Sequence, residues 1–538
     1  MSADLRSPAR PWSVAERDSD TASGRTLWML ATRWAGTRTK EDAIVTLADF
    51  DEDTAVSHVS WERLVNEAGD LRGRLAAIGA TDQRAVVLAL PNSPLTIALW
   101  LAIMANNAIV QAIDVDSGVL AFERSLQATD PAAVFVSAQN AGELRKAIAS
   151  TGSTTLVIVV TSLELDGRYA DFGLAGTASV PADAPPSSVA GVLPTSGTSG
   201  APKLVQLTNH NYLMAAERLS RNSGYLASDR HYLCSPFFHT NGQLYLAAPP
   251  LLTGGSIAIV PRFSGTHYFS GARRTGATVS SMVAPPMRIA LHKAIERTAS
   301  GPDGEADDGG LRLIQYGMTM STADWREWDA RFPDIEMRQI YGQTESVTGV
   351  LGGSPWDTDD RRAIGRPFVG VPAVRLVTED GSAAADGEPG ELWVKGDPGS
   401  TLMLGYLDAP GATAEALVDG CWLRTGDVMV RHPDGRFEFR GRRMHIIRRG
   451  GENISTYALE LDLQACPLVS DAAVTAKADD RLDSLVIAHV IPAAGYSEAA
   501  FLAWCRENLG KRGVPDEVRE HTDFPRTGSG RVIARELG

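Results

Sequence analysis

Apolar and polar positions follow two rhythms along this chain. Helical spacing, with apolar residues three and four apart, runs through residues 26–36 and 60–79. From residue 85 short apolar runs alternate with helical stretches. Ala85–Leu90 reads as a buried strand, Pro94–Met104 as a helix and Ala108–Ile113 as a strand, and the β-branched runs at 132–137 and 156–160 repeat the pattern. Strands spaced in this way imply an α/β fold, with parallel sheet covered by helices. Residues 171–190, rich in Ala, Gly, Ser, Asp and Pro, read as a surface linker, and 209–218 as a helix. From 365 onward, GRPFVGVPAVRLV, GEPGELWVKG and GRFEFRGR are short strands broken by Gly, Pro and Asp turns. The expected organisation is a polar segment over 1–24, a large N-terminal domain of layered sheets and helices over 25–441 with a β-rich subdomain at 365–441, and a small α+β C-terminal domain over 442–538.

Composition narrows the function classes. The chain has 538 residues, too many for one core. Its net charge of −14 argues against nucleic acid as a partner, because binding a phosphate backbone needs a basic face. Four scattered cysteines form neither a zinc motif nor a disulfide framework. The most lipid-like stretch, 85–110, is broken by Pro91, Asn92, Ser93, Pro94, Asn106 and Asn107, so no membrane span is expected. The start has no apolar signal region, and a cytoplasmic location is expected.

The candidate chemistry begins at 193–205, LPTSGTSGAPKLV. Glycines let backbone N–H groups approach an anion closely, and Lys203 adds a mobile positive charge. The spacing is not that of a Walker A loop, and alone the string is either a plain polar loop or a phosphate nest at a strand-to-helix turn. Four further stretches stand out: YGQTE at 341–345, RTGD at 424–427, RGRRMHIIRRGGENIS at 440–455 and FPRTGSGRV at 524–532. Tyr341 can cover a base, Glu345 can hold Mg²⁺ through oxygen, and Asp427 can accept both hydroxyls of a ribose.

Together, and in this order, these motifs resemble those of the adenylate-forming superfamily: acyl-CoA synthetases, peptide-synthetase adenylation domains and luciferases. The resemblance covers roughly residues 40–535. It implies a ligase that joins a small-molecule carboxylic acid to ATP as an acyl-adenylate and then transfers the acyl group to coenzyme A. On this resemblance Thr195, Ser196, Gly197, Thr198, Ser199, Gly200 and Lys203 hold the β- and γ-phosphates. Thr198 and Glu345 lie nearest Mg²⁺, Tyr341 and Gly342 lie along the adenine, and Thr344 touches the α-phosphate. Asp427 takes the ribose hydroxyls, helped by Arg442. The C-terminal domain is mobile. One face offers a cation from the near-terminal loop for adenylation, and the other offers Gly450–Gly451 to the pantetheine arm.

The chain departs from the pattern in three places. The family's near-terminal lysine is replaced by Arg531, a larger, planar cation. Met444 and His445 stand at the hinge in place of the usual Asp or Lys. The run Gly317-Met318-Thr319-Met320 replaces Gly-Gly-Ala beside the adenine, so Gly317 and Met318 are expected at the cofactor, and Met318 and Thr319 to reshape the acyl pocket beside it. In FFHTNG, His239 occupies the position where peptide-synthetase domains carry Asp, which disfavours an amino-acid substrate. Asn241, Gly242, Gln243, Met282, Val283 and Pro285 suggest a mostly apolar pocket with some polar handles, which fits a hydrophobic acid. The alternative implied by Arg531 is a relative that performs one half-reaction, or hands the acyl group to a carrier protein or partner enzyme. Oligomeric state stays open.

Overall fold

The computed structural model describes residues 24–114, 118–195, 203–299, 308–318, 320, 322–353, 363–442, 446–449, 452–479, 483–509, 514–527 and 532–538. The apolar stretch at 85–110 resolves into strand Ala85–Ala89, helix Pro94–Ala105 and strand Ile109–Ala112. Every residue of that helix is buried, as a helix apolar on all faces requires. The polar residues that interrupt the run are its caps. Ser93 accepts from Thr96 N at 3.1 Å, Pro94 opens the first turn, and buried Asn106 exchanges hydrogen bonds with Arg72. Among the described residues no helix is long and apolar enough to cross a membrane.

Two large sheets build the N-terminal part. In the seven-stranded sheet, Ala85–Ala89 pairs in parallel with Ile109–Ala112 and Ala133–Ser137, and Val189–Thr195 pairs in parallel with Ile109–Ala112. Lys203–Thr208 then returns antiparallel to Val189–Thr195, and the two-residue strand Gly405–Tyr406 closes that edge. The phosphate-loop candidate therefore joins two antiparallel strands, and helix Asn209–Ser223 starts only after the second. This corrects the strand-to-helix placement. The run KLVQLT alternates between the core and the other face of the sheet, and its pairing to Val189–Thr195 keeps the chain extended before the helix.

In the fourteen-stranded sheet, Val279–Val283, Leu313–Gly317 and Glu336–Gly342 run parallel. Beyond them the sheet becomes antiparallel, and Trp422–Arg431 pairs with Phe437–Arg442 so that Asp427 faces Arg442. The carboxyl ends of the three parallel strands open onto one crevice, the usual place for a ligand in an α/β sheet.

The C-terminal elements are hairpin Ile446–Arg449/Glu452–Ser455, helix Thr456–Gln464, a three-stranded sheet and helix Glu498–Asn508. They share a core of their own, with Leu463, Val486, Ala488, Val490, Phe501 and Cys505 buried together.

Candidate active site

A cavity of about 1570 Å³ opens where these elements meet. Thr195, Lys203, His239, Gly317, Met318, Tyr341, Gly342, Thr344, Glu345, Asp427 and Arg442 all line it. Ser196, Gly197, Thr198, Ser199, Gly200, Met444, His445, Gly450, Gly451 and Arg531 lie outside the described residues.

Asp427 is the hub of one end. Its carboxylate is buried and accepts from Tyr341 Oη at 2.6 Å, Gln343 Nε2 at 2.6 Å and Arg442 Nε at 3.1 Å. Gln343 also donates to the Thr425 carbonyl at 2.9 Å, which fixes the amide. Burial, and then the negative charge of Asp427, push the Tyr341 phenol well above its ordinary range, so it remains a donor. A glycine is required at 342, because a Cβ there would sit 2.4 Å from the Thr348 carbonyl oxygen. The following turn carries Val347 at φ +70°, a strained conformation for a β-branched residue.

Glu345 forms the second hub. Tyr406 Oη donates to Glu345 Oε1 at 2.9 Å, and Met403 N donates to the Glu345 carbonyl at 2.9 Å. Lys203 Nζ lies 5.0 Å from the centre of the Tyr406 ring, so one aromatic residue touches both the carboxylate and the cation. The geometry follows from the sheet edge, where Tyr406 pairs with Val205 two residues from Lys203. Burial raises the Glu345 carboxyl above its ordinary value, opposed in part by the hydrogen bond from Tyr406. Thr195 and Lys203 are register partners at the mouth of the hairpin, so the two ends of the candidate phosphate loop meet here.

The other end is walled by Met282, Val283, Pro285, Pro286, Ile289 and Met318. Met318 adopts φ +70°, and its carbonyl accepts from Gln339 Nε2 at 3.1 Å. His239 and Thr240 precede the π-helix Asn241–Ala247, and Asn241 Nδ2 donates to Ser281 Oγ at 2.8 Å. Thr240 and Thr344 share a hydrogen bond of 2.7 Å that ties this end to the YGQTE turn. Gln243 departs from the sequence expectation. It is buried away from the cavity, donating to the Phe237 carbonyl at 2.9 Å and accepting from Tyr212 Oη at 2.7 Å. Gly242 is a packing position, since a Cβ would meet the Pro236 carbonyl oxygen at 2.5 Å.

Sequence reasoning gave no role to Tyr406, Gln343 or Thr240. Gln343 and Thr240 sit inside motifs quoted for their neighbours. Tyr406 lies in LGYLDAP, whose only signal is an aromatic after glycine at a strand edge.

The family model for AMP-binding enzymes matches residues 32–407 of this chain, and that for the AMP-binding enzyme C-terminal domain matches 459–531. The chain belongs to the AMP-binding enzyme family. A sulfoacetate–CoA ligase of Cupriavidus necator is 31% identical to this AMP-binding enzyme over 483 residues, covering 89% of this chain and 92% of that one. A crotonobetaine/carnitine–CoA ligase of Salmonella arizonae is 32% identical over 356 residues, covering 65% and 67%. Within the family the enzyme thus groups with AMP-forming CoA ligases. The solved structure of an anthranilate CoA ligase with anthranoyl-AMP superposes with TM-score 0.83 at 20% identity, covering 97% of this chain and 98% of that one. That of o-succinylbenzoate CoA synthetase from Bacillus subtilis with its acyl-adenylate gives 0.80 at 21%, covering 95% and 98%. At these identities the two structures bear on the fold alone.

Proposed function

We propose that this enzyme activates a hydrophobic carboxylic acid with ATP and transfers the acyl group to coenzyme A. The observation that carries this reading is the single cavity, with the Asp427 and Glu345 hubs at one end and apolar walls at the other. In the first half-reaction a carboxylate oxygen attacks the α-phosphorus and pyrophosphate leaves. In the second the thiol of coenzyme A attacks the acyl carbon, loses its proton, and AMP leaves.

Asp427, already held by three donors, is oriented to accept ribose hydroxyls in exchange for Tyr341 or Gln343. Tyr341 then lies along the base, beside Gly342. Thr344, held by Thr240, contacts the α-phosphate, and Lys203 with the 195–200 segment neutralises the departing phosphates. Such preorganisation lowers a phosphoryl-transfer barrier by positioning and charge stabilisation. Glu345 supplies one hard oxygen ligand, and among the described residues no cluster of three His, Cys, Asp or Glu could build a full metal cage. That donor set fits Mg²⁺ bound mainly through phosphate and water. When bound, Mg²⁺ supplies positive charge against the phosphate oxygens. His239 is a wall of the acyl end, and Arg531 is the cation offered from the C-terminal domain, 442–538, which we take to move between the two half-reactions. Gly450–Gly451 takes the pantetheine arm.

Arginine in the lysine position also supports a second reading, in which the chain performs only thioester formation or passes the acyl group to a carrier protein. Pyrophosphate release separates the two. With a panel of acetate, hexanoate, octanoate, benzoate, cinnamate, malonate and sulfoacetate, the first reading expects ATP-dependent release with an apolar acid. No release with any acid, together with acyl-CoA formation from supplied acyl-AMP, leaves only the second.

A further inference from the structure

The C-terminal elements dock on the acyl end of the cavity through a chain of charges. Arg288, on helix Ala284–Ala299 of the acyl wall, pairs with Asp324 at 3.2 Å on its own side. Across the cavity mouth it reaches Asp471 at 3.5 Å and Gln464 Oε1 at 2.9 Å. Asp471 in turn accepts from Arg526 at 2.5 Å, on the run that leads to Arg531. Gln464 Nε2 and the Ala472 N–H both donate to Asp471 Oδ1 at 2.8 Å, so the carboxylate cannot swing away. The side chains of Arg288, Asp324 and Asp471 are each only 13–15% exposed, too sheltered for the pairs to count as solvated surface bridges. His292 also faces Asp324, at 3.9 Å. Arg526 and Thr527 line the same cavity as Thr344 and Glu345.

We propose that Asp471 is a positioning residue for acyl-adenylate formation, bridging Arg288 of the acyl wall to Arg526 and so holding the described start of the near-terminal run, Arg526 and Thr527, at the cavity. The proposal rests on the reading above that this run serves the first half-reaction. Asp471 acts through the two arginines it holds, in the orientation that brings both of them to it. A contact made in one orientation alone biases the enzyme towards that orientation.

The test measures the half-reactions separately, using hexanoate or benzoate, whichever the unaltered enzyme activates faster. Asp471→Asn is expected to slow pyrophosphate release about tenfold, within the 5–150-fold span of ordinary coupling between sites. Thioester formation from the matching synthetic acyl-AMP and coenzyme A stays within about twofold of the unaltered rate. Arg526→Gln gives the same split at smaller amplitude and carries the test if Asp471→Asn does not fold, and Asp471→Glu recovers most of the first half-reaction. An equal fall in both half-reactions, or no change in either, overturns the proposal. If the unaltered enzyme activates no acid, amide exchange of the ligand-free chain decides. Faster exchange over 284–295 and 469–476 in Asp471→Asn supports the docking role, and unchanged exchange overturns it.

Discussion

The two ends of the cavity are built in opposite ways. At the nucleotide end each charged or polar group is held by another: Tyr341, Gln343 and Arg442 on Asp427, and Tyr406 on Glu345. At the other end the inner walls are mostly apolar with isolated polar pairs such as Asn241 with Ser281, and the connected charges through Arg288 lie at the mouth, where the C-terminal elements dock. A network holds atoms for one ligand geometry and is costly to break, because each loss strands its partners. Apolar walls accept any group of suitable volume and discriminate weakly, about 1–3 kcal/mol per methylene. On the proposed reading, the enzyme is therefore strict about its nucleotide and tolerant about its acid.

Truncating a hub should produce the largest effect. Asp427→Ala takes the shared acceptor from three donors, one of them a half-buried guanidinium, and is expected to lower kcat/KM for ATP by at least about 100-fold, as breaking a sheltered charge pair does. Steady-state kinetics across ATP concentrations checks this, and a change below tenfold would remove Asp427 from nucleotide recognition.

Tyr406→Phe removes one hydroxyl and keeps the ring beside Lys203. The expected loss in kcat/KM for ATP is about tenfold, the scale of a hydrogen bond to a charged group. The pH profile adds a sign. Tyr406 donates to the ionised Glu345 carboxylate and lowers its pKa against burial, so without the hydroxyl the pKa rises. The acidic limb of kcat/KM should move to higher pH, and an unmoved limb would detach Tyr406 from Glu345.

The acyl end should respond less. Asn241→Leu is expected to change kcat/KM for an apolar acid by less than about fivefold while leaving that for ATP unaltered. A loss comparable with that of Asp427→Ala would erase the contrast between the ends.

Glu460, a partly exposed neighbour of the docking surface, should give the smallest change. Burial pushes its carboxyl up to about 7, so the folded chain holds a proton there that the unfolded chain has already released. Its contribution is greatest below the unfolded carboxylate value near 4.5 and fades as pH rises through about 7. Glu460→Gln should therefore raise the melting temperature at pH 8 relative to pH 5, by about 1 kcal/mol or less in stability after solvent screening.

The same contrast explains what could be read from the sequence. The end proposed for the nucleotide is encoded in two contiguous runs, YGQTE and RTGD, whose residues meet at Asp427. Strand Ala85–Ala89 and helix Pro94–Ala105 were also legible, since burial on all sides leaves an uninterrupted apolar run. The other end is assembled from Ser235, residues 239–241, residues 281–286, Arg288, Ile289 and the ends of three strands, which only the sheet register brings together. Gln243 shows the limit of sequence reading, because proximity to His239 in the chain does not say which side of a π-helix a residue takes. Lys203–Thr208 was missed as a strand because six extended residues directly before a helix carry no turn signal. The Asp471 bridge joins residues more than 180 positions apart and has no local signature.

The central claim is that one cavity makes an acyl-adenylate and passes its acyl group to coenzyme A. Mass spectrometry of products from the acid panel with ATP, coenzyme A being withheld and then supplied, tests it most directly. The expected result is acyl-AMP and pyrophosphate without coenzyme A, and acyl-CoA and AMP with it. Formation of ADP and phosphate, or acyl-CoA arising only from supplied acyl-AMP, would contradict the account.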